Sequence, residues 1–238
     1  MEYPQDHIVH KSEPIGERIT QYGPDADQVI EFFGESNTGK QLLLIHGGYW
    51  RPTIDRAHLR PLAEALAQRN FRIALLEYRR VQGRPDDYLS DVLTAIRSLP
   101  EEEMILIGHS AGAHLALLAG REVRNCSSIL ALSPVADLQL GIKENLGDGA
   151  IQLFLGEEKG ALERLDPIRL SAAKTNIHLM HSEHDFIPLE IAHRYYREKL
   201  AEGATIRFTL VPDADHFALV DPRSAGLGIL LQALSEIE

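Results

Sequence analysis

Ser110 stands in a sequence pattern that is typical of nucleophilic catalysis. It is the centre of Gly-His-Ser-Ala-Gly at residues 108–112, and a G-x-S-x-G pattern presents a serine at a sharp strand-to-helix turn. Small residues on both sides let the backbone close that turn. The helix that follows directs amide donors and a positive dipole end toward developing negative charge. The pattern predicts that Ser110 is a nucleophile that attacks an acyl carbon.

A nucleophilic serine needs a base, and His216 is the histidine whose position fits. The chain contains 11 histidines, so the presence of a histidine does not by itself identify the catalytic base. After a G-x-S-x-G turn, the catalytic partners follow in the order serine, acid, histidine, on loops that come after late strands. His216 lies between the last apolar run and the final helical pattern. It is therefore predicted to accept the proton of Ser110.

Asp185 is the predicted acid of the triad. It follows the apolar run at residues 177–180, one strand before His216, where it would fix the tautomer and the orientation of the imidazole. Four other carboxylates remain open as alternatives: Glu183, Asp213 and Asp215 nearby, and Asp137 after an earlier strand.

The segment His-Gly-Gly-Tyr-Trp at residues 46–50 is the predicted oxyanion hole, and its paired glycines are residues 47 and 48. They follow an apolar run, as does the glycine-rich loop that complements the amide after the nucleophile. Backbone amides there would stabilise the oxyanion of a tetrahedral intermediate. The predicted donors are the amides of Gly48, Tyr49 and Ala111.

The aromatic residues of this segment have two possible roles. Tyr49 and Trp50 either line a substrate-binding pocket or cap the hydrophobic core, and the sequence leaves both open. His46 is expected to be a structural loop histidine, without a catalytic role.

Two histidines and the single cysteine are of residue types that could bind a metal or act as a nucleophile, but their sequence context favours neither role. His181 and His184 lie in a loop and lack the spacing of helical zinc-binding patterns, so structural roles are expected and no metal is predicted. Cys126 lies beside a strand, outside any pattern around a nucleophilic thiol, and is expected in the core.

These candidates need a scaffold of buried strands alternating with helices. Short runs that are apolar on both faces predict strands of a parallel sheet, and a further run predicts an antiparallel strand near its edge. The strands are predicted at 42–45, 73–76, 104–107, 128–132, 177–180 and 206–211, with the edge strand at 29–33. Helical patterns cover about 58–68, 86–99, 112–123, 189–202 and 217–237.

The alternation predicts one α/β domain over residues 1–238, with a mostly parallel central sheet and helices on both faces. Residues 134–171 break the rhythm, because they carry five glycines and only short helical pieces. They follow a strand, which places them above the carboxyl edge of the sheet where ligands bind. We expect a small lid or pocket insertion there.

Composition narrows the possible partners to small molecules. The formal net charge of −11 argues against nucleic-acid binding, because a protein surface that binds phosphates needs a concentrated excess of Lys and Arg. No apolar run approaches the roughly 18 residues of a membrane span, and the first residues lack the pattern of a secretory signal. The single cysteine allows no internal disulfide. We expect a cytoplasmic enzyme, monomeric or homodimeric, without nucleic acid or membrane partners.

Taken together, the motifs resemble the kynurenine formamidases (arylformamidases) of the α/β-hydrolase esterase superfamily. The similar segments span most of the chain between about residues 42 and 220. They are His46–Trp50, Gly108–Ala116, Ser133–Leu138, Glu183–Asp185 and Asp215–Phe217.

The resemblance implies an α/β-hydrolase fold and hydrolysis of N-formylkynurenine to kynurenine and formate. Ser110, Asp185 and His216 would form the triad, and neither a metal nor an organic cofactor would be needed. A general carboxylesterase acting on small acyl esters is the alternative. A non-catalytic α/β-hydrolase-fold binding protein is a more remote one, since such a protein would be free to lose these residues and this chain retains them.

Overall fold

The computed structural model describes residues 14–237 of the chain. In this range eight strands form one sheet in the order β1-β2-β4-β3-β5-β6-β7-β8. The strands are β1 Arg18–Gln21, β2 Val29–Phe33, β3 Gln41–Ile45, β4 Arg72–Leu76, β5 Met104–His109, β6 Cys126–Leu132, β7 Asn176–His184 and β8 Ile206–Asp215.

The six strands from β3 to β8 are parallel, and β1 and β2 are antiparallel additions at one edge. Parallel strands need long crossover connections, which helices supply. The helices are α1 Arg60–Ala67, α2 Pro85–Ser98, α3 Ala111–Ala119, α4 Leu138–Lys143, α5 Ala150–Leu155, α6 Ala161–Leu165, α7 Leu189–Ala201 and α8 Ala225–Ser235. Short 3₁₀ turns cover Arg56–Leu59 and Pro167–Arg169.

The core lies on both faces of the sheet. All five residues of β3 are buried, and they alternate between two hydrophobic clusters: Leu43 and Ile45 pack with α2 and α3, whereas Leu42 and Leu44 pack with α1 and α8. Because successive side chains of a strand point to opposite faces, a strand covered on both sides must be apolar throughout. This explains why the central strands are continuous apolar runs.

The predicted fold class, a mostly parallel α/β sheet with helices on both faces, is confirmed. Several predicted boundaries differ, and the helix predicted at 112–123 ends at Ala119. β7 and β8 run four residues beyond the predicted ends, to His184 and Asp215. The last helix begins at Ala225 and not at residue 217, because Ser224 caps it by accepting a hydrogen bond from Gly226 N. β1 was not predicted.

Residues 134–171 contain α4, α5, α6 and the second 3₁₀ turn, and they connect β6 to β7. The connection therefore begins at the carboxyl end of β6, as the sequence indicated. Within residues 14–237, no helix combines the length and apolar character that a membrane crossing requires.

Candidate active site

Ser110 occupies a sharp turn between β5 and α3. Its backbone angles are φ 57° and ψ −119°, a conformation that few residues other than glycine adopt. The turn is fixed from the neighbouring strand, because Ser110 N donates a hydrogen bond to Leu132 O over 2.8 Å. Burial is nearly complete, with Ser110 only 1% exposed.

Glycines make this turn and its neighbour loop possible by allowing close backbone contact. A Cβ on Gly112 would lie 2.1 Å from Ile45 O, and a Cβ on Gly47 would lie 2.8 Å from Ser110 Cβ. Both distances are too short for real atoms. The two glycines therefore let the loop after β3 lie directly against the serine turn.

Asp185 and His216 are hydrogen-bonded to one another at the carboxyl ends of β7 and β8. His216 Nδ1 lies 2.8 Å from Asp185 Oδ1, and both side chains are 1% exposed. With the carboxylate accepting at Nδ1, the lone pair of His216 is left on Nε2.

Asp185 is held by two further donors, neither of which the sequence predicted. Ile187 N donates to Oδ1 over 2.8 Å, and Ser133 Oγ donates to Oδ2. Burial alone would raise the pKa of Asp185, but the hydrogen bonds from His216 and Ser133 outweigh it and lower the pKa below its usual value. Asp185 is therefore an anion that orients its neighbour.

Two groups of the site are buried without a partner in the described part of the chain. Ser110 Oγ and His216 Nε2 are both inaccessible to solvent and make no hydrogen bond among residues 14–237. Unpaired buried polar atoms cost stability, and they are expected where a substrate or a reaction intermediate completes the set of hydrogen bonds.

His109 connects the serine turn to the loop that carries His216. Its Nε2 donates to His216 O over 3.0 Å, and the two rings lie 4.5 Å apart. Burial, with His216 as the second cause, holds the pKa of His109 well below its usual value. A neutral His109 therefore supports the backbone of His216 from beside Ser110.

The loop at residues 46–50, the predicted oxyanion hole, has an unusual backbone conformation. Gly48, Tyr49 and Trp50 all have positive φ, at 115°, 53° and 55°, a backbone conformation that residues other than glycine rarely adopt. Ala111 is the first residue of α3, and its amide lacks a partner within the helix.

Buried polar side chains fix this loop from behind. Tyr78 Oη donates to His46 O over 2.8 Å, and Tyr88 Oη donates to Trp50 O over 3.1 Å. Glu77 is 2% exposed and contacts His46 Nε2 at 2.9 Å. Its other oxygen accepts from Arg56 N. His46 thus has the structural role that the sequence indicated.

Aromatic side chains surround His216. The ring of Phe186 lies 4.0 Å from the His216 ring, and Phe217 lies 5.2 Å from it. Tyr49 continues the row, 6.0 Å from Phe186. Phe186 therefore connects the ring of His216 to that of Tyr49.

Trp50 is buried away from this row, which corrects its prediction as a substrate-binding residue. It is 1% exposed, stacks on Phe154 with the ring centroids 4.6 Å apart, and meets His114 edge-on. The structure therefore favours the alternative in which Trp50 caps the core.

The remaining candidates lie away from His216 Nδ1. Asp137 caps α4 and pairs with Arg194. Asp215 accepts from Phe217 N and Ala218 N.

One exposed group has potential metal-binding atoms within 4.8 Å of one another: Glu183, His184 and Asp213. Exposed groups of this kind are common without a metal. The predicted core residue Cys126 is buried, which raises the pKa of its thiol to about 12.

Comparison with known proteins identifies the family of this chain. The model of the alpha/beta hydrolase family matches residues 42–174, more than half of the chain. Searching the curated proteins gave no match.

Among solved structures, esterase B from Lactobacillus rhamnosis with a tributyrin phosphonate superimposes with a TM-score of 0.78 at 17% identity, covering 94% of this chain and 87% of that one. A hormone-sensitive lipase from a metagenome library gives 0.75 at 18% identity, with 94% and 88% covered. An esterase/lipase from an uncultured bacterium gives 0.78 at 16% identity, with 100% and 91% covered. These similarities show a shared fold. The chain belongs to the alpha/beta hydrolase family.

Proposed function

Starting from membership of the alpha/beta hydrolase family, we propose that this enzyme is a serine hydrolase that cleaves aryl formamides, with N-formylkynurenine as its substrate. The observation that carries the proposal is the hydrogen-bonded pair of Asp185 and His216, with the buried, unpartnered Ser110 Oγ and an aromatic row beside it. The sequence resemblance to the arylformamidases supplies the substrate.

In the proposed first step, Ser110 Oγ attacks the formyl carbon while His216 Nε2 takes its proton. Asp185 stabilises the resulting imidazolium. The amides of Gly48, Tyr49 and Ala111 receive the oxyanion, each typically contributing on the order of 10²–10³ in rate.

The second step releases formate. His216 gives its proton to the nitrogen of the leaving arylamine, which breaks the C–N bond and leaves a formyl ester on Ser110. Water, deprotonated by His216, then attacks this ester, and formate departs as Ser110 regains its proton. Every proton in the cycle passes through His216, so no further acid or base is required.

Phe186 and Tyr49 support an aromatic leaving group. Aromatic rings associate by offset stacking or edge contact at centroid distances of about 4.5–7 Å. Phe186 lies next to the imidazole that must protonate the leaving nitrogen, and Tyr49 lies next to Phe186. An aryl group bound against them would bring its formamide nitrogen to His216.

A carboxylesterase acting on small acyl esters is the second candidate. It uses the same residues, and the structurally similar proteins named above are esterases and lipases. The two functions differ in leaving group and share the acyl chemistry.

The test compares initial rates of purified wild type and Ser110→Ala on N-formylkynurenine and on short-chain aryl esters. We expect a higher kcat/KM for N-formylkynurenine and no activity of the variant on either substrate. Preference for the esters, with the variant still inactive, would establish the carboxylesterase instead. A variant as active as wild type would exclude Ser110 as the nucleophile.

A further inference from the structure

Arg51 follows the oxyanion loop and is the cationic side chain next to its aromatic row. Its guanidinium carbon lies 5.6 Å from the centre of the Tyr49 ring. Its Nη2 donates to Gly147 O over 2.7 Å, so the side chain spans from the loop to the segment between β6 and β7.

The charge of Arg51 is not compensated locally. Among residues 14–237 it lies in no ion pair, whereas the nearby Arg56 contacts Glu31 at 2.8 Å and Arg79 contacts Asp91 at 2.6 Å. A guanidinium has five N–H donors, and Gly147 O takes one of them. The others make no hydrogen bond within the part of the chain that the structure describes, in a protein whose net charge is −11.

The contacts between Arg51 and the proposed acid–base pair form a continuous row. Phe186 lies against His216, Tyr49 lies against Phe186, and Arg51 lies over Tyr49. A molecule whose reacting bond is at His216 and whose aromatic ring lies along this row would direct a substituent on the ring toward the guanidinium.

We infer that Arg51 binds a carboxylate carried by the leaving group, so that the preferred substrates are aryl formamides or aryl esters with an anionic side arm. Arginine suits this role because its planar fork matches a carboxylate through two parallel hydrogen bonds. The inference rests on the proposed acyl transfer at Ser110, and it adds the feature that distinguishes one aryl substrate from another.

The test uses two pairs of substrates that differ only in a carboxylate. The formamide pair is 4-(2-formamidophenyl)-4-oxobutanoate, which is N-formylkynurenine without its amino group, and 2′-formamidopropiophenone, which also lacks the carboxylate. The ester pair is 3-(4-acetoxyphenyl)propionate and 4-ethylphenyl acetate. For each pair, the ratio of kcat/KM values for the anionic and the neutral member measures recognition of the carboxylate.

We expect Arg51→Gln to lower this ratio about 10- to 100-fold, mainly through KM, as removal of a charged hydrogen bond to substrate does. Arg51→Lys should restore part of it. Arg69→Gln removes the same charge at the far end of α1, where Arg69 donates to Ala65 O, and it should leave the ratio unchanged.

Equal losses on both members of a pair would overturn the inference, because they would show that Arg51 acts only by holding Gly147. An unchanged ratio would overturn it as well. Failure of the proposed function looks different: wild type would then cleave the esters but neither formamide, and the ester pair would still test Arg51.

Discussion

The two halves of the candidate site are held in different ways. The oxyanion segment, residues 46–50, is fixed by side chains that take no part in the proposed chemistry, chiefly Tyr78 and Tyr88 bound to its carbonyl groups. In the acid–base segment, residues 183–187 and 215–217, the reacting groups are themselves part of the support: Asp185 and His216 are hydrogen-bonded to each other, and Asp185 also accepts from Ser133 and from Ile187 N.

This difference indicates how each half should respond to mutation. Where supporting and reacting groups are separate, losing a support should mainly cost stability. Where they are the same groups, losing one should remove catalysis while the apolar core around β7 and β8 keeps the fold.

Asp185→Asn should lower kcat by about 10³–10⁴-fold, because an amide no longer fixes the required tautomer of His216 or stabilises its charged form. Thermal unfolding should show a folded protein. Asp215→Asn is the matched control, since Asp215 contacts backbone amides of the next turn and not the imidazole. Near wild-type turnover in Asp185→Asn would assign the acid to another carboxylate.

Glu77→Gln tests the oxyanion segment. Glu77 is buried against His46 and pairs with Arg56 and Arg80, and removing one partner of a buried ionic group costs about 3–5 kcal/mol. Urea unfolding should show this loss. Glu102→Gln breaks the more exposed pair with Arg72 and should cost no more than about 1 kcal/mol. Similar small losses in both variants would refute the supporting role of Glu77.

Acid should destabilise the oxyanion side through buried neutral histidines. Burial lowers the pKa of His58 and of His114 to about 4, whereas a histidine in the unfolded chain titrates near 6.5. Between these values the unfolded chain binds more protons, so the free energy of unfolding should fall as pH drops from about 6.5 to about 4.

The control for this pH effect is His114→Gln, which keeps a donor for Leu165 O and removes the titrating group. Urea unfolding at several pH values should give a shallower slope than in wild type, while the exposed His184→Gln should not change it. Equal slopes in all three proteins would contradict the assignment.

His109→Phe should give the smallest effect, a decrease in kcat of about 3- to 10-fold. The change keeps a ring in place but removes the hydrogen bond to His216 O, and a bond of this kind contributes about 0.5–1.5 kcal/mol. His109→Gln retains a donor and should recover activity. If both variants behave alike, His109 only fills space beside Ser110.

The features that were predictable from sequence have local causes. Continuous apolar runs identified the six parallel strands, because burial on both faces leaves a plain signature. Ser110 and the glycines around it were equally plain, since close backbone contact at Gly47 and Gly112 tolerates no side chain.

The features that were missed depend on contacts distant in sequence. β1 is exposed along its length and has no apolar pattern, so only its pairing with β2 reveals it. Ser133 meets Asp185 across 52 positions. Two more features depend on such contacts. Glu77 was not singled out from the sequence and the role of Trp50 was left open, because only the packing of the loop on the core shows what these side chains contact.

The most direct test of the account is covalent labelling with a fluorophosphonate, followed by intact mass and peptide mapping. The reagent forms a stable bond with a serine whose hydroxyl is activated by a neighbouring base. We predict one adduct on Ser110 in wild type, much slower labelling in His216→Asn, and none in Ser110→Ala. Labelling of Ser110→Ala at the wild-type rate, or an adduct on another residue such as Ser182, would contradict the assignment of Ser110 as the nucleophile.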